Sequence, residues 1–324
     1  MEQVLVIQTG GTIAMSADET EGVKPVDDQA LNRCLPQLNR YAQVTMEHFA
    51  NLPSPHMTLH VMNDLRRRIM QELEANRYAG IVVTHGTDTL EETAYFLDLT
   101  LPLSVQVPVV VTGAMRSSNE PGSDGPVNLI SAVRTAIEPA SRDKGVLVVF
   151  NEEIHAARHV TKTHTSNVAA FQSPHCGPIG TVSKRGVLYH HAPLVREYFP
   201  IEHVAANVPL IKAVAGMDPL WLSFLLEQPV DGLVIEGFGL GNLPPAIVPT
   251  LAQLLAKGVP IVLVSRCLGG QVAPVYDYAG GGRQLRDMGL IFSNGLNGPK
   301  ARIKLIAALQ QTNSRTQLQQ FFER

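Results

Sequence analysis

Two short segments, Thr9-Gly-Gly-Thr-Ile-Ala14 and Thr84-His-Gly-Thr-Asp-Thr89, bring together hydroxyls, glycines and a carboxylate, and each comes at the end of a strand-like apolar run. A threonine hydroxyl is a weak nucleophile at neutral pH. It needs a base nearby and donors for the oxyanion that its attack creates. Thr12 follows two glycines, which let a substrate approach the backbone closely. Asp88 can accept a proton or bind an ammonium group. Lys162, in Val160-Thr-Lys-Thr163, is the last charge before the stretch Thr163–Ser183, which has no Asp, Glu, Lys or Arg; that setting suits a lysine acting as a base.

Other chemistries are less well supplied. The glycines do not form the G-x-G-x-x-G of a dinucleotide site, and the GK[ST] ending of a phosphate loop is missing, as are G-x-S-x-G and HExxH. His56 and His60, and His155 and His159, have the i, i+4 spacing that can place two imidazoles on one helix face, yet neither pair encloses a metalloprotease glutamate. Both nucleotide readings and a metal site are therefore weakly supported by the residues themselves. His85, at the end of a buried strand, reads first as a hydrogen-bonded core histidine and only second as a base.

The elements that must position these residues follow from hydropathy. Val4–Ile7, Ile81–Val83, Val107–Val111 and Val146–Phe150 are apolar, β-branched runs of the kind buried on both faces of a sheet. Between them lie amphipathic helical patterns at Asp27–Leu35, Leu65–Ala75, Thr89–Leu99 and Val127–Glu138, with Thr89 and Glu92 spaced as a capping box. Such alternation predicts an α/β fold: a larger N-terminal domain with a parallel sheet and helices on both faces, and a smaller C-terminal α/β domain. The second domain is expected to hold strands at Leu210–Val214, Gly232–Ile235 and Pro260–Val264. Its helices are expected near Pro219–Leu226, at Pro245–Ala256 and after Asn297-Gly-Pro299. The aperiodic, proline-bearing stretch between them places the domains at 1–190 and 209–324, with a linker at 191–208.

Of 324 residues, 45% are hydrophobic and 17% charged, which excludes disorder over most of the chain. Twenty-six basic against 29 acidic residues leave a net charge of −3, so no overall positive field attracts nucleic acid. Cys34, Cys176 and Cys267 are odd in number and far apart, which fits a reducing compartment. With no basic n-region at the start and no long apolar run, a cytoplasmic protein without membrane contact is expected.

In this order and context the two opening motifs resemble the paired signatures of bacterial-type L-asparaginases. The similarity continues in Glu91-Glu-Thr-Ala-Tyr-Phe-Leu97, Thr112-Gly-Ala-Met-Arg116, Asp124-Gly-Pro126, Val160-Thr-Lys-Thr163, Gly239-Leu-Gly-Asn242 and Pro299-Lys-Ala-Arg302, so it covers nearly the whole chain. The resemblance implies hydrolysis of L-asparagine to L-aspartate and ammonia without metal or organic cofactor, with Thr12 as nucleophile and Thr87, Asp88 and Lys162 as a second hydroxyl–carboxylate–lysine set. It further implies that Ser54 holds the substrate α-carboxylate, that Asp88 holds the α-ammonium, and that Gly11, Gly86, Thr87 and Ala114 line the substrate, with backbone N–H groups near Thr87 and Ala114 meeting the oxyanion. A homodimer or homotetramer with sites at the subunit interface is implied too, with Asn242 or Asp277 as candidates for a contact from the neighbouring subunit.

Two positions depart from the family pattern. The loop Ser16–Pro25 has no aromatic where many relatives carry a tyrosine, Val23 being nearest by spacing, and Pro55 follows Ser54 where relatives often have a polar side chain. A broader asparaginase/glutaminase and a non-catalytic amino-acid-binding module are the alternatives. The motifs also occur in the amidase subunit of a tRNA-dependent amidotransferase, whose first motif follows an extra domain, whereas here the first strand begins at Val4.

Overall fold

A computed structural model describes residues 1–17, 22–25 and 33–323. The expected helix Asp27–Leu35 lies almost entirely outside them. The chain divides into two compact units, Met1–Tyr198 and Phe199–Arg324.

The first unit is built on an eight-stranded sheet. Its parallel part comprises β1 (Gln3–Gly10), β4 (Gln43–Leu52), β5 (Gly80–Thr84), β6 (Val109–Thr112) and β7 (Val146–Phe150), in the order β7-β6-β5-β1-β4. The sheet continues beyond β7 through the antiparallel strands β8 (Glu153–Ala156), β11 (Gly180–Ser183) and β12 (Gly186–Tyr189). A small antiparallel pair, β2 (Met15–Ala17) with β3 (Val23–Pro25), follows the first strand.

Every residue of β5, β6 and β7 is buried, as the apolar runs predict. Val4, Val6, Val82, Val110, Leu147 and Val149 share one core with Leu129, Ala132, Val133 and Ala136 of the helix Gly125–Ile137. Side chains alternate along a strand, so the intervening Leu5, Ile7, Ile81, Val83, Val111 and Val148 bury the opposite face, and the helix Leu90–Thr100 packs against β6 and β7. Helices thus cover both faces.

The capping box is corrected by the structure. Thr89 stands at the N-cap but its hydroxyl makes no cap bond; it donates to the Ser54 carbonyl at 2.9 Å, tying the helix start to another loop. The helix expected from Leu65 begins six residues earlier, at Leu59, where the Thr58 hydroxyl accepts the Val61 N–H and caps it. It ends at Asn76, in the left-handed region at φ 49°.

In the second unit four parallel strands, β13 (Leu210–Lys212), β14 (Leu233–Gly237), β15 (Ile261–Ser265) and β16 (Ile291–Phe292), lie in sequence order. Ile235, Leu263, Ile247, Leu251 and Leu254 form the centre of its core. The expected helix from Pro245 opens as a 3-10 turn, and the α-helix runs over Val248–Ala256. Two helices without a clear sequence signal, Gly282–Met288 and Arg315–Phe322, complete the unit with Leu220–Leu225 and Gly298–Ala308. At the sheet edge the Gln319 side chain behaves as a neighbouring strand would. Its amide oxygen accepts the Phe292 N–H at 3.0 Å and its NH2 donates to the Phe292 carbonyl at 3.3 Å.

Candidate active site

The first strand ends in a backbone that only glycine tolerates. Gly10 has φ +105°, and Gly11 has φ +87° with ψ 177°, a region closed to residues with a Cβ. The Gly11 N–H donates to the Leu52 carbonyl of β4 at 3.1 Å. A Cβ on Gly11 would lie 2.3 Å from both Cα and N of Gly86, so the two glycine loops are in direct backbone contact. Thr12, the next residue, opens a 3-10 turn through Ala14 and is half-buried, while Ile13 and Ala14 point into the core.

The loop after β5 is held from three sides. The His85 N–H donates to the Thr112 carbonyl at 2.8 Å, and a Cβ on Gly113 would lie 2.4 Å from the His85 carbonyl oxygen. Ser54, at the start of the 3-10 turn Ser54–His56, fits against Gly86, where a Cβ would come within 2.6 Å of the serine Cβ. Its Oγ accepts the Asp88 N–H at 3.1 Å, so the Ser54 hydroxyl keeps its proton for another acceptor. Because three loops pack this closely, Gly11, Thr12, Ser54, Gly86, Thr87 and Asp88 form one cluster at the carboxyl ends of parallel strands, the usual place for a ligand.

Lys162 reaches the same cluster. It lies in β9 (Thr161–Lys162), and its Nζ donates to Thr87 Oγ1 at 2.9 Å and to Asp88 Oδ1 at 2.7 Å. Despite the uncharged stretch of sequence that follows it, the lysine has a charged neighbour, because the fold returns it to a carboxylate 74 positions earlier. The Asp88 side chain is 57% exposed and that of Lys162 16%, so the carboxylate is the part open to an incoming molecule.

Ala114 is fully buried beside this cluster. The loop it opens is fixed by Asp124, whose carboxylate accepts the N–H groups of Met115 and Arg116 at 2.9 to 3.1 Å. Asn128 braces the same loop: its NH2 donates to the Gly113 carbonyl at 3.0 Å, and its Oδ1 accepts the Asn151 N–H at 3.0 Å.

His85 is a core residue. It is fully buried, and burial holds it down to about 4 from an ordinary 6.5, with a smaller upward effect from the Gly86 carbonyl. That carbonyl, 2.8 Å from Nδ1, can only accept, so Nδ1 carries the proton and Nε2 accepts from the Thr93 hydroxyl at 2.9 Å. His155 lies on strand β8 rather than on a helix, with Nδ1 2.9 Å from Ser173 Oγ, so the helix-face spacing read for His155 and His159 does not apply.

Asn242 and Asp277 stand in the second unit. The Asn242 Oδ1 accepts the Gly282 N–H at 3.2 Å, which anchors the helix that begins there. Asp277 is exposed and faces Arg283 at 3.4 Å. The side chain of Val23 lies outside the described residues. Three residues of the cluster escaped the sequence reading: Glu91, whose Oε2 accepts the Thr161 hydroxyl at 2.7 Å and the Lys162 N–H at 2.6 Å, together with Asp124 and Asn128. Signals existed in the Asp124-Gly-Pro126 run for Asp124 and in the Glu91-Glu-Thr-Ala-Tyr-Phe-Leu97 run for Glu91, but neither gave the residue a role.

Comparison with known proteins places this chain in a family. The model "Asparaginase, N-terminal" matches residues 3–195, and "Glutaminase/Asparaginase C-terminal domain" matches residues 207–322. A relative named "Probable L-asparaginase" from Deinococcus radiodurans is 41% identical, covering 99% of this chain and 97% of its own. A "Glutaminase-asparaginase" from Pseudomonas aeruginosa is 33% identical, covering 99% of this chain and 90% of its own. Among solved structures, one titled as a probable cytoplasmic L-asparaginase from Campylobacter jejuni superposes with a TM-score of 0.90 at 33% identity, over 100% of both chains.

Proposed function

Because the chain belongs to the asparaginase family, whose members hydrolyse amides, we propose that it converts L-asparagine to L-aspartate and ammonia through an acyl-enzyme on Thr12. The observation that carries this reading is Lys162 Nζ on the Thr87 hydroxyl and the Asp88 carboxylate, beside the loop that presents Thr12.

Asparagine carries one cation and one anion on its α-carbon. Asp88 holds the α-ammonium, using the carboxylate oxygen not engaged by Lys162, and the Ser54 hydroxyl donates to the α-carboxylate. Gripping both ends aims the side-chain amide at Thr12, converting an encounter into an intramolecular reaction. Thr12 Oγ1 attacks the amide carbon while the Thr87 hydroxyl takes its proton and hands its own to Lys162 Nζ, which acts from its neutral amine form, and the oxyanion is met by N–H groups at Thr87 and Ala114. The C–N bond breaks, the nitrogen takes a proton and leaves as ammonia, and water cleaves the ester to release aspartate.

We place the protein in the cytoplasm, like its Campylobacter neighbour by title, and among the described residues no helix is long and apolar enough to cross a membrane. We also propose a homodimer or homotetramer in which Asn242 or Asp277 completes the site of a neighbouring subunit, and domains at 1–190 and 209–324 joined by 191–208.

A coupled ammonia assay tests the reading. Thr12→Ala is expected to abolish release from asparagine and Lys162→Ala to reduce it strongly; an undiminished rate in Thr12→Ala ends the assignment. Glutaminase-asparaginase relatives and Pro55 beside Ser54 favour a second reading, a broader amidase. It is separated from the first by kcat/KM for asparagine against glutamine.

A further inference from the structure

Lys162 is secured at its tip, but the reach of that tip depends on where its backbone lies. The strand β9 is two residues long and pairs with another of equal length, β10 (Phe171–Gln172), in a two-stranded sheet of its own. A pairing this short has little stability of its own in water. Its link to the loop it serves is Glu91. One oxygen of that carboxylate, Oε2, accepts both the Thr161 hydroxyl at 2.7 Å and the Lys162 N–H at 2.6 Å. Glu91 is 7% exposed, and a carboxylate so buried is tolerated when its oxygens are well used. It also sits in the first turn of the helix Leu90–Thr100, directly after the Thr84–Thr89 loop.

Lys162 is therefore held at both ends by one five-residue stretch: Nζ by Thr87 and Asp88, the backbone N–H by Glu91. The distance between the lysine backbone and the hydroxyl it serves is set within a single segment, independently of the wider loop. We propose that Glu91 is a positioning residue, which fixes the Lys162 backbone so that Nζ meets Thr87 Oγ1 before substrate arrives. The proposal rests on the reading of Thr87 and Lys162 as the proton-handling set. Glu91 touches neither substrate nor reacting atoms, so its loss acts on kcat and leaves KM nearly unchanged.

Both hydrogen bonds fall on the same oxygen, and this makes the test sharp. In Glu91→Gln the amide oxygen can accept both, so kcat should stay within about threefold of wild type; in Glu91→Leu both are lost, and kcat should fall by about 30- to 100-fold, the scale of a misplacement near 1 Å. The second readout is amide hydrogen exchange at Lys162 in the full-length protein. It should be slow in wild type and Glu91→Gln and at least about tenfold faster in Glu91→Leu. If Glu91→Leu does not fold, Thr161→Val removes one of the two bonds and should lower kcat by about fivefold. Normal kcat in the folded Leu variant, or lost kcat with Lys162 exchange unchanged, overturns the proposal. Absence of ammonia release by the wild type would instead overturn the functional reading, while the exchange comparison still decides whether Glu91 holds the lysine.

Discussion

Gly11→Ala is the most direct perturbation of the cluster. The alanine Cβ would have to occupy a point 2.3 Å from two backbone atoms of Gly86, whereas ordinary contact begins at 3.4 Å, so the two loops must part by about 1 Å. The φ of +87° adds backbone strain of ~1–3 kcal/mol. Strain alone is isolated by Gly177→Ala, at φ +71° with nothing within 4 Å of the added methyl. Displacing a reacting group by that distance costs about 100-fold in rate. Steady-state ammonia release should show kcat/KM reduced by about that factor in Gly11→Ala and unchanged in Gly177→Ala, which should lose only ~1–3 kcal/mol of stability in a denaturant melt. Gly11→Ala with kcat/KM within about threefold of wild type would refute the claim that contact between these loops sets the geometry.

Stability should respond to pH through two groups of opposite sign. Burial pushes the Asp98 carboxyl up to about 6 from 3.8, against the Val146 N–H it accepts and the nearby Arg196 and Arg158. The folded state thus prefers the protonated acid. Its contribution is full below pH 3.8 and lost as pH rises through about 6, a swing of ~3 kcal/mol at about 1.4 kcal/mol per pH unit. Asp98→Asn keeps the acceptor for Val146, so urea melts should show it more stable than wild type at pH 7 and equal at pH 4; equal midpoints at pH 7 would contradict this. His85, held down to about 4 from 6.5 by burial, works the other way, and its contribution is full above pH 6.5 and lost as pH falls through about 4. Asn128→Ala leaves the Gly113 carbonyl and the Asn151 N–H without their partner and should cost ~2–4 kcal/mol in the same melts; a loss under ~1 kcal/mol would mean that water replaces the amide.

What was legible in the sequence depended on burial. Strands closed in on both faces, such as Ile81–Val83 and Val146–Phe150, stand out as continuous apolar runs because no side chain along them meets water. β4, at the sheet edge, is half-exposed along its length, and its Thr45, Glu47 and His48 hide it from the same search. The carboxyl-end glycines and hydroxyls were visible as a pattern, and the resemblance supplied a role for each. Glu91 was missed for a different reason. Local spacing in that helical turn singles out Glu92, three after Thr89, whereas the hydrogen bonds of Glu91 run to residues 70 and 71 positions further on. Local spacing holds no information about such partners until strands and loops are assembled.

The amide of Gln319 on strand β16 has a bearing on how copies of the protein behave in crowded solution. An open sheet margin is a template on which a foreign strand can extend the ladder, and that is how many folded proteins begin to aggregate. Here the Phe292 N–H and carbonyl are already matched by a side chain from the helix Arg315–Phe322, so a visiting strand finds both positions taken. A single glutamine side chain thereby covers part of the margin of the second unit's sheet.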